Sequence, residues 1–188
     1  VAVELPSPLH RISPEEYRRL VEAGVFDEHA HVELIDGLIV DMSPKTPAHE
    51  NAIAWLNQVL VLAVDLDRFE VRVGASLSIA TSQPEPDIAV IERDMPRPYH
   101  PGTAALVIEV AVSSQRRDLR HKPRIYASAG VPEYWVVDLD AGRAVAHSSP
   151  RDGAYERVDV VGSDGELYAS HLAVPPISVG KLLAVAIA

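Results

Sequence analysis

Apolar positions fall into three kinds of stretch along this chain: continuous, alternating and helical. The continuous one is Ala105-Leu-Val-Ile-Glu109-Val-Ala-Val112, with one carboxylate in its middle. A short, β-branched run of this kind predicts a fully buried strand at the centre of a mixed or parallel sheet. Alternation marks Val32-Glu33-Leu-Ile-Asp36-Gly37-Leu-Ile-Val40, a hairpin whose Asp-Gly pair supplies the positive φ angles of a two-residue turn. Ser13-Pro14-Glu15-Glu16 opens a helix with a capping box, and Tyr17, Leu20 and Val21 give it an apolar stripe that covers one side of the sheet. Thr46-Pro47 opens a longer helix through Ile53, Leu56, Val59, Leu60 and Val64.

Further strands are predicted at 69–73, 76–80 and 88–91, followed by a proline-rich surface connection over 92–102. Pro123 is tolerable only in a first helical turn, so a helix starts between Asp118 and Lys122 and ends at Gly130. Another strand spans 131–138. Short strands follow over 144–161, 166–168 and 172–174, turning at Asp152-Gly153 and Asp164-Gly165, and a helical or extended segment occupies 177–185. The pattern is α/β: a central mixed sheet flanked by helices with extra C-terminal strands, in one domain over 1–188.

Composition narrows the function. No run approaches the roughly 20 apolar residues of a membrane span, and Val1-Ala-Val-Glu-Leu-Pro6 lacks a signal-peptide pattern, so the expected location is the cytoplasm. With no cysteine, thiolate metal sites and thiol nucleophiles are excluded. The net charge of -10 argues against broad adhesion to nucleic acid while leaving room for a local basic groove. Lys45, Lys122 and Lys181 are the chain's only lysines, which makes a lysine in a crowded position informative.

Candidate chemistry centres on Glu109, because an ionised carboxylate in a buried strand costs several kcal/mol unless it is paired, protonated or bound to a cation. Gln83-Pro84-Glu85-Pro86 delivers Asp87 to the start of the preceding strand, and Lys122 begins the helix that follows. Two carboxylates and a lysine in that order form a set used in metal-dependent phosphodiester hydrolysis. Mg²⁺ or Mn²⁺ takes one or two carboxylates with phosphate and water, and the lysine orients the attacking water or stabilises developing charge. Arg116, Arg117, Arg120 and Arg124 would contact flanking phosphates. His49 falls in the first turn of its helix, where a neutral imidazole could donate to a phosphate or carboxylate, or could simply lie at the surface. Glu33 shares a strand face with Ile35. His29 and His31 read as solvated.

Val32-Glu-Leu-Ile-Asp-Gly37, His49, Pro86-Asp87-Ile-Ala-Val, Val107-Ile-Glu109-Val, the Asp118, Lys122, Tyr126 spacing and Ala129-Gly-Val-Pro-Glu-Tyr-Trp-Val-Val-Asp138 together resemble the Uma2 family of restriction-endonuclease-like proteins, in the PD-(D/E)xK nuclease superfamily. The resemblance covers about 11–183. It implies a restriction-endonuclease-like fold, a metal-dependent endonuclease acting on DNA, Asp87 and Glu109 as metal ligands, and Lys122 as a lysine displaced from strand to helix. Glu33 and His49 become further site members, with Tyr126 an additional candidate.

Two positions depart from the pattern. Ala111 stands where the superfamily's strand lysine would be, so catalysis depends on Lys122 reaching the site. Val112 stands where relatives often carry a polar or acidic residue. The alternative is a nuclease-fold protein with little or no catalysis that acts as a nucleic-acid-binding or assembly module. A carboxylate-pair glycosidase would leave Lys122 and the arginines without a task. Apolar surface expected at Tyr134, Trp135 and the C-terminal strands points to a homodimer.

Overall fold

The computed structural model describes residues 9–27, 30–94, 100–112 and 114–188, and of Arg116 the backbone alone. His29, the N-terminal Val1-to-Pro6 stretch and the middle of the proline-rich connection lie outside the described residues.

Helix α1 (Pro14–Glu22) begins as its capping box dictates: the Ser13 N–H donates to Glu16 Oε2 at 2.7 Å, and the Glu16 N–H to Ser13 Oγ at 3.2 Å. Instead of covering the main sheet, α1 leans on the hairpin through buried Tyr17, whose hydroxyl donates to the Val32 carbonyl at 3.0 Å; Val21 is exposed. The hairpin, β1 (Val32–Ile35) and β2 (Leu38–Asp41), turns through Asp36 (φ 49°) and Gly37 (φ 75°), the two positive angles its sequence predicts. Helix α2 (Pro47–Ala63) is capped by Thr46, whose hydroxyl accepts from the His49 N–H at 3.3 Å.

A six-stranded sheet follows, in the order β3 (Phe69–Val73), β4 (Ile88–Glu92), β5 (Leu106–Ala111), β6 (Glu133–Asp138), β7 (Arg143–Arg151), β8 (Ala154–Val161). All neighbours are antiparallel except β5 and β6. Parallel neighbours require a crossover, and here it is made of α3 (Gln115–Arg120) and α4 (Lys122–Ser128). A small pair, β9 (Glu166–Leu167) and β10 (Ile177–Ser178), precedes α5 (Val179–Ala186).

Alternation along β5 sorts the two faces. Leu106, Ile108 and Val110 join the core beneath α2 and α5, with Leu56, Leu60, Trp135 and Leu182. Val107 and Ala111 join the core beneath α4 and the hairpin, with Ile35, Ile125, Tyr126 and Tyr134. Glu109 shares this second face.

Four further expectations change. The segment 76–80 is irregular rather than a strand, because its amides bond to loops (Leu77 N–H to the Pro84 carbonyl, Ser78 N–H to the Pro101 carbonyl) and Ala80 sits at φ 46°. Residues 172–174 form a turn and its sequel, with β10 starting only at Ile177. The helix expected between Asp118 and Gly130 starts earlier and is broken at His121, because Pro123 lacks the N–H that would bond back one turn. Tyr134 and Trp135 are fully buried, at 0% and 1% exposure, so the apolar surface invoked for a homodimer is absent at these two residues. Among the described residues no helix is long and apolar enough to cross a membrane.

Gly37 bears most sharply on the hairpin. A Cβ there would lie 2.6 Å from Arg11 Cβ, at a φ that L side chains rarely adopt. Gly37→Ala should destabilise the protein by about 1–3 kcal/mol, read as a lower urea midpoint in equilibrium unfolding.

Candidate active site

The hairpin, α2, the segment ahead of β4, β5 and the α3–α4 crossover deliver the polar side chains of one small cavity of about 40 Å³. β4 pairs with β5 only as far as Ile88 opposite Ile108, so the next pair out is Asp87 beside Glu109. The Val110 N–H is free of the β4 ladder there and donates to Asp87 Oδ2 at 2.7 Å. The hairpin is fixed to the segment ahead of β4 by reciprocal bonds, Leu34 N–H to the Gln83 carbonyl (3.3 Å) and Gln83 N–H to the Leu34 carbonyl (2.7 Å). That docking turns Glu33 inward, where its Oε2 accepts from the Glu85 N–H at 3.3 Å.

The crossover supplies the cation. Lys122 Nζ lies 2.8 Å from Glu109 Oε1, 3.2 Å from Glu33 Oε2 and 3.6 Å from Asp118 Oδ1. All four residues are buried, the most exposed being Glu109 at 4%. Asp118 and Lys122 are one turn apart and face the same way despite the break at His121. Tyr126, one further turn on, donates to Glu109 Oε1 at 3.0 Å. Its ring is wholly buried, and its hydroxyl positions the acid from below. On the other flank, His49 Nε2 lies 3.1 Å from Asp87 Oδ1 and 3.2 Å from Oδ2.

Burial pushes the Glu109 carboxyl well above the usual carboxylate range; Lys122 opposes this, while Asp118, Asp87 and Glu33 add to it. Burial also raises Asp118, against the pull of Lys122, its hydrogen bond from Ser114 and Arg117. At Lys122 burial disfavours the charge, but Glu109, Glu33 and Asp118 outweigh it and hold the ammonium above lysine's ordinary value. The two directions have different causes: burial is what raises Glu109 and Asp118, whereas Lys122 is raised by the carboxylates around it.

Among the described residues no three His, Cys, Asp or Glu are grouped to hold a metal ion. The arrangement presents instead the carboxylate pair Asp87 and Glu109, and a hard cation such as Mg²⁺ is held by one or two carboxylates with water and phosphate completing its shell. Both described hydrogen bonds to the Glu109 side chain land on Oε1. Around the cavity, Glu33, Glu85, Asp87, Glu109 and Asp118 face only Lys45, Arg117 and Lys122. Fully ionised, that lining carries two surplus negative charges, and an oxygen-rich donor set of this kind fits a divalent cation.

The structure thus brings Glu33, His49, Asp87, Glu109 and Lys122 together. Arg117 lines the same cavity, with Nε 3.4 Å from Glu33 Oε1 and its other end donating to the Asp41 carbonyl at 2.7 Å. Arg120 is exposed and does not line the cavity, and Arg124 pairs with Asp36 outside it. The side chain of Arg116 lies outside the described residues. Sequence reasoning missed Asp118 and Glu85 as site members. Asp118 carried a signal in its four-residue spacing to Lys122, and Glu85 in lying two residues before Asp87 on an extended segment, which puts both on one side.

A mixed sheet with paired acids at the β4 and β5 ends, a lysine behind them and helices on both faces defines the restriction-endonuclease-like class. The profile of the Uma2 family, described as "Putative restriction endonuclease", matches residues 14–185, and the chain belongs to that family. A solved structure titled a "putative nuclease belonging to DUF820" from Anabaena variabilis superposes with a TM-score of 0.77 over 93% of this chain and 99% of that one. At 16% identity the likeness is one of fold. The type IIG restriction endonuclease BpuSI is similar at a TM-score of 0.40 and 15% identity, over 79% of this chain and 17% of that one. A comparison with curated proteins gave no match.

Because Asp118 is raised in the folded state, its ionisation weakens the fold as pH rises through its folded value, and below its unfolded value the effect vanishes. Asp118→Asn should therefore raise the thermal midpoint by about 2–4 °C at pH 8. The gain should shrink as melts are repeated down through the acid range.

Proposed function

We propose that the protein is a Mg²⁺- or Mn²⁺-dependent endonuclease that hydrolyses DNA phosphodiester bonds. The observation that carries this reading is the Lys122 ammonium at 2.8 Å from Glu109, brought from the crossover although Ala111 occupies the usual strand position. In this reading Asp87 and Glu109 hold the cation, which when bound acidifies water and offsets charge on the phosphate. His49 orients Asp87, and Tyr126 orients Glu109. Lys122, kept charged by Glu33 and Asp118, donates toward the attacking water or a non-bridging phosphate oxygen. Arg117 contributes a guanidinium edge toward the substrate phosphate.

The rival reading is a nuclease fold that binds or assembles without cleaving. It draws on the net charge of -10 and on apolar Val112 just past β5. Incubation of the purified protein with plasmid and single-stranded DNA, with either metal or with chelator, separates the two. Metal-dependent cleavage is expected, reduced at least about 100-fold by Asp87→Ala and by Lys122→Met. No cleavage by the wild type, or equal cleavage by Asp87→Ala, would refute the nuclease reading.

A further inference from the structure

Beside the carboxylate cavity lies a larger pocket of about 510 Å³, within the range of small-molecule sites. The two share Ser43, Ser114 and Arg117 as common walls. The hairpin accounts for their continuity. Glu33 pairs across the strands with Val40, and Ile35 with Leu38, so these four side chains stand on one face of the hairpin. Its Glu33 end enters the carboxylate cluster, and its Ile35 and Leu38 end lines the larger pocket. Two residues along a strand are about 7 Å, a reach comparable to that from a phosphate to the base of its own nucleotide.

The opposite wall is as regular. Ser114, Arg117 and His121 lie three and four residues apart along the crossover and face the pocket, while Asp118 and Lys122 face Glu109. Arg11 closes the mouth, its backbone held against the turn by the Ile12 N–H donating to the Gly37 carbonyl at 3.1 Å. The pocket therefore has an aliphatic floor of Ile35, Leu38 and Val40, with Arg11, Arg117 and the His121 ring around it. Aliphatic and guanidinium surfaces are what a flat heterocycle rests on; Arg117 lies toward the end where a phosphodiester would sit, and Arg11, which donates to the Asp36 carbonyl, lies at the turn end.

We infer that this pocket receives an unpaired nucleobase of the strand whose phosphate occupies the carboxylate cavity, so that the substrate is single-stranded or locally opened DNA. This rests on the nuclease reading for what happens at the phosphate, but the pocket itself needs only binding. A base stacked and paired inside a duplex cannot enter a concave site without being extruded, and that extrusion is cheapest where the strand is already single. The acidic net charge fits such a substrate. Little affinity is available from broad phosphate neutralisation, and a pocket for one base offers a local, less salt-dependent contribution.

Fluorescence anisotropy with a labelled 12-mer in chelator, as single strand and as blunt duplex, tests the inference without cleavage. The single strand should bind about tenfold more tightly, and Leu38→Trp and Val40→Phe, which fill the floor, should each abolish that preference. Circular dichroism establishes that each variant is folded; Val158→Thr, exposed on β8 and outside both cavities, should retain the preference. Equal or tighter duplex binding, or a preference that survives in both folded floor variants, would overturn the pocket assignment. Cleavage in a parallel metal-containing assay keeps the readings apart: cleavage without single-strand preference removes the pocket and leaves the nuclease, whereas preference without cleavage does the reverse.

Discussion

One buried ammonium organises this molecule. Lys122 is 3% exposed, and taking an ammonium out of water costs several kcal/mol unless opposite charges meet it with good geometry. Three carboxylates do so, from three separate elements: Glu33 on β1, Glu109 on β5 and Asp118 on α3. The lysine is thus the joint at which hairpin, sheet and crossover are fastened. Each acid is tolerable in the interior because the same cation faces it, and the excess of acid over base leaves the joint short of positive charge.

The topology explains how the lysine comes to sit on a helix. Parallel pairing of β5 with β6 obliges the chain to leave the end of β5 and travel back across one face of the sheet. Glu109 points into that same face, so the returning chain must pass over it. Lys122, at the start of α4, has the reach, and Ala111 then needs only to be small enough to pack against its neighbours, as it does at 0% exposure. The break at His121, forced by Pro123, keeps Asp118 and Lys122 on the same target, with Ser114 and Arg117 as the wall shared with the neighbouring pocket and His121 facing that pocket alone.

Much of this was legible in the residues themselves. Ser13-Pro14, Thr46-Pro47 and Asp36-Gly37 mark element boundaries through local hydrogen bonding and φ constraints, which tertiary contacts do not override here. Glu109 stood out because a charge in a β-branched run demands a partner. Other features depended on long-range packing. Ser76 to Ala80 has strand-like residues, but its amides are claimed by Pro84 and Pro101. Tyr134 and Trp135 looked like surplus apolar surface because sequence cannot show that α4 covers one face of β6 and α2 with α5 the other. Asp118 and Glu85 went unnoticed for the same reason: their significance lies in what the hairpin and β5 place opposite them.

The hairpin's two faces carry a consequence for assembly. Its chemical face holds Glu33, and its other face holds Leu34, which is fully buried against the segment ahead of β4. A slip of one residue in the pairing would exchange them, sending a carboxylate into hydrocarbon and an aliphatic side chain toward Lys122. Such a molecule would retain its six-stranded sheet and most of its helices while lacking the Glu33–Lys122 pair. The Asp36-Gly37 turn therefore acts as a proofreading element: by fixing which residues pair, it decides whether Glu33 meets Lys122.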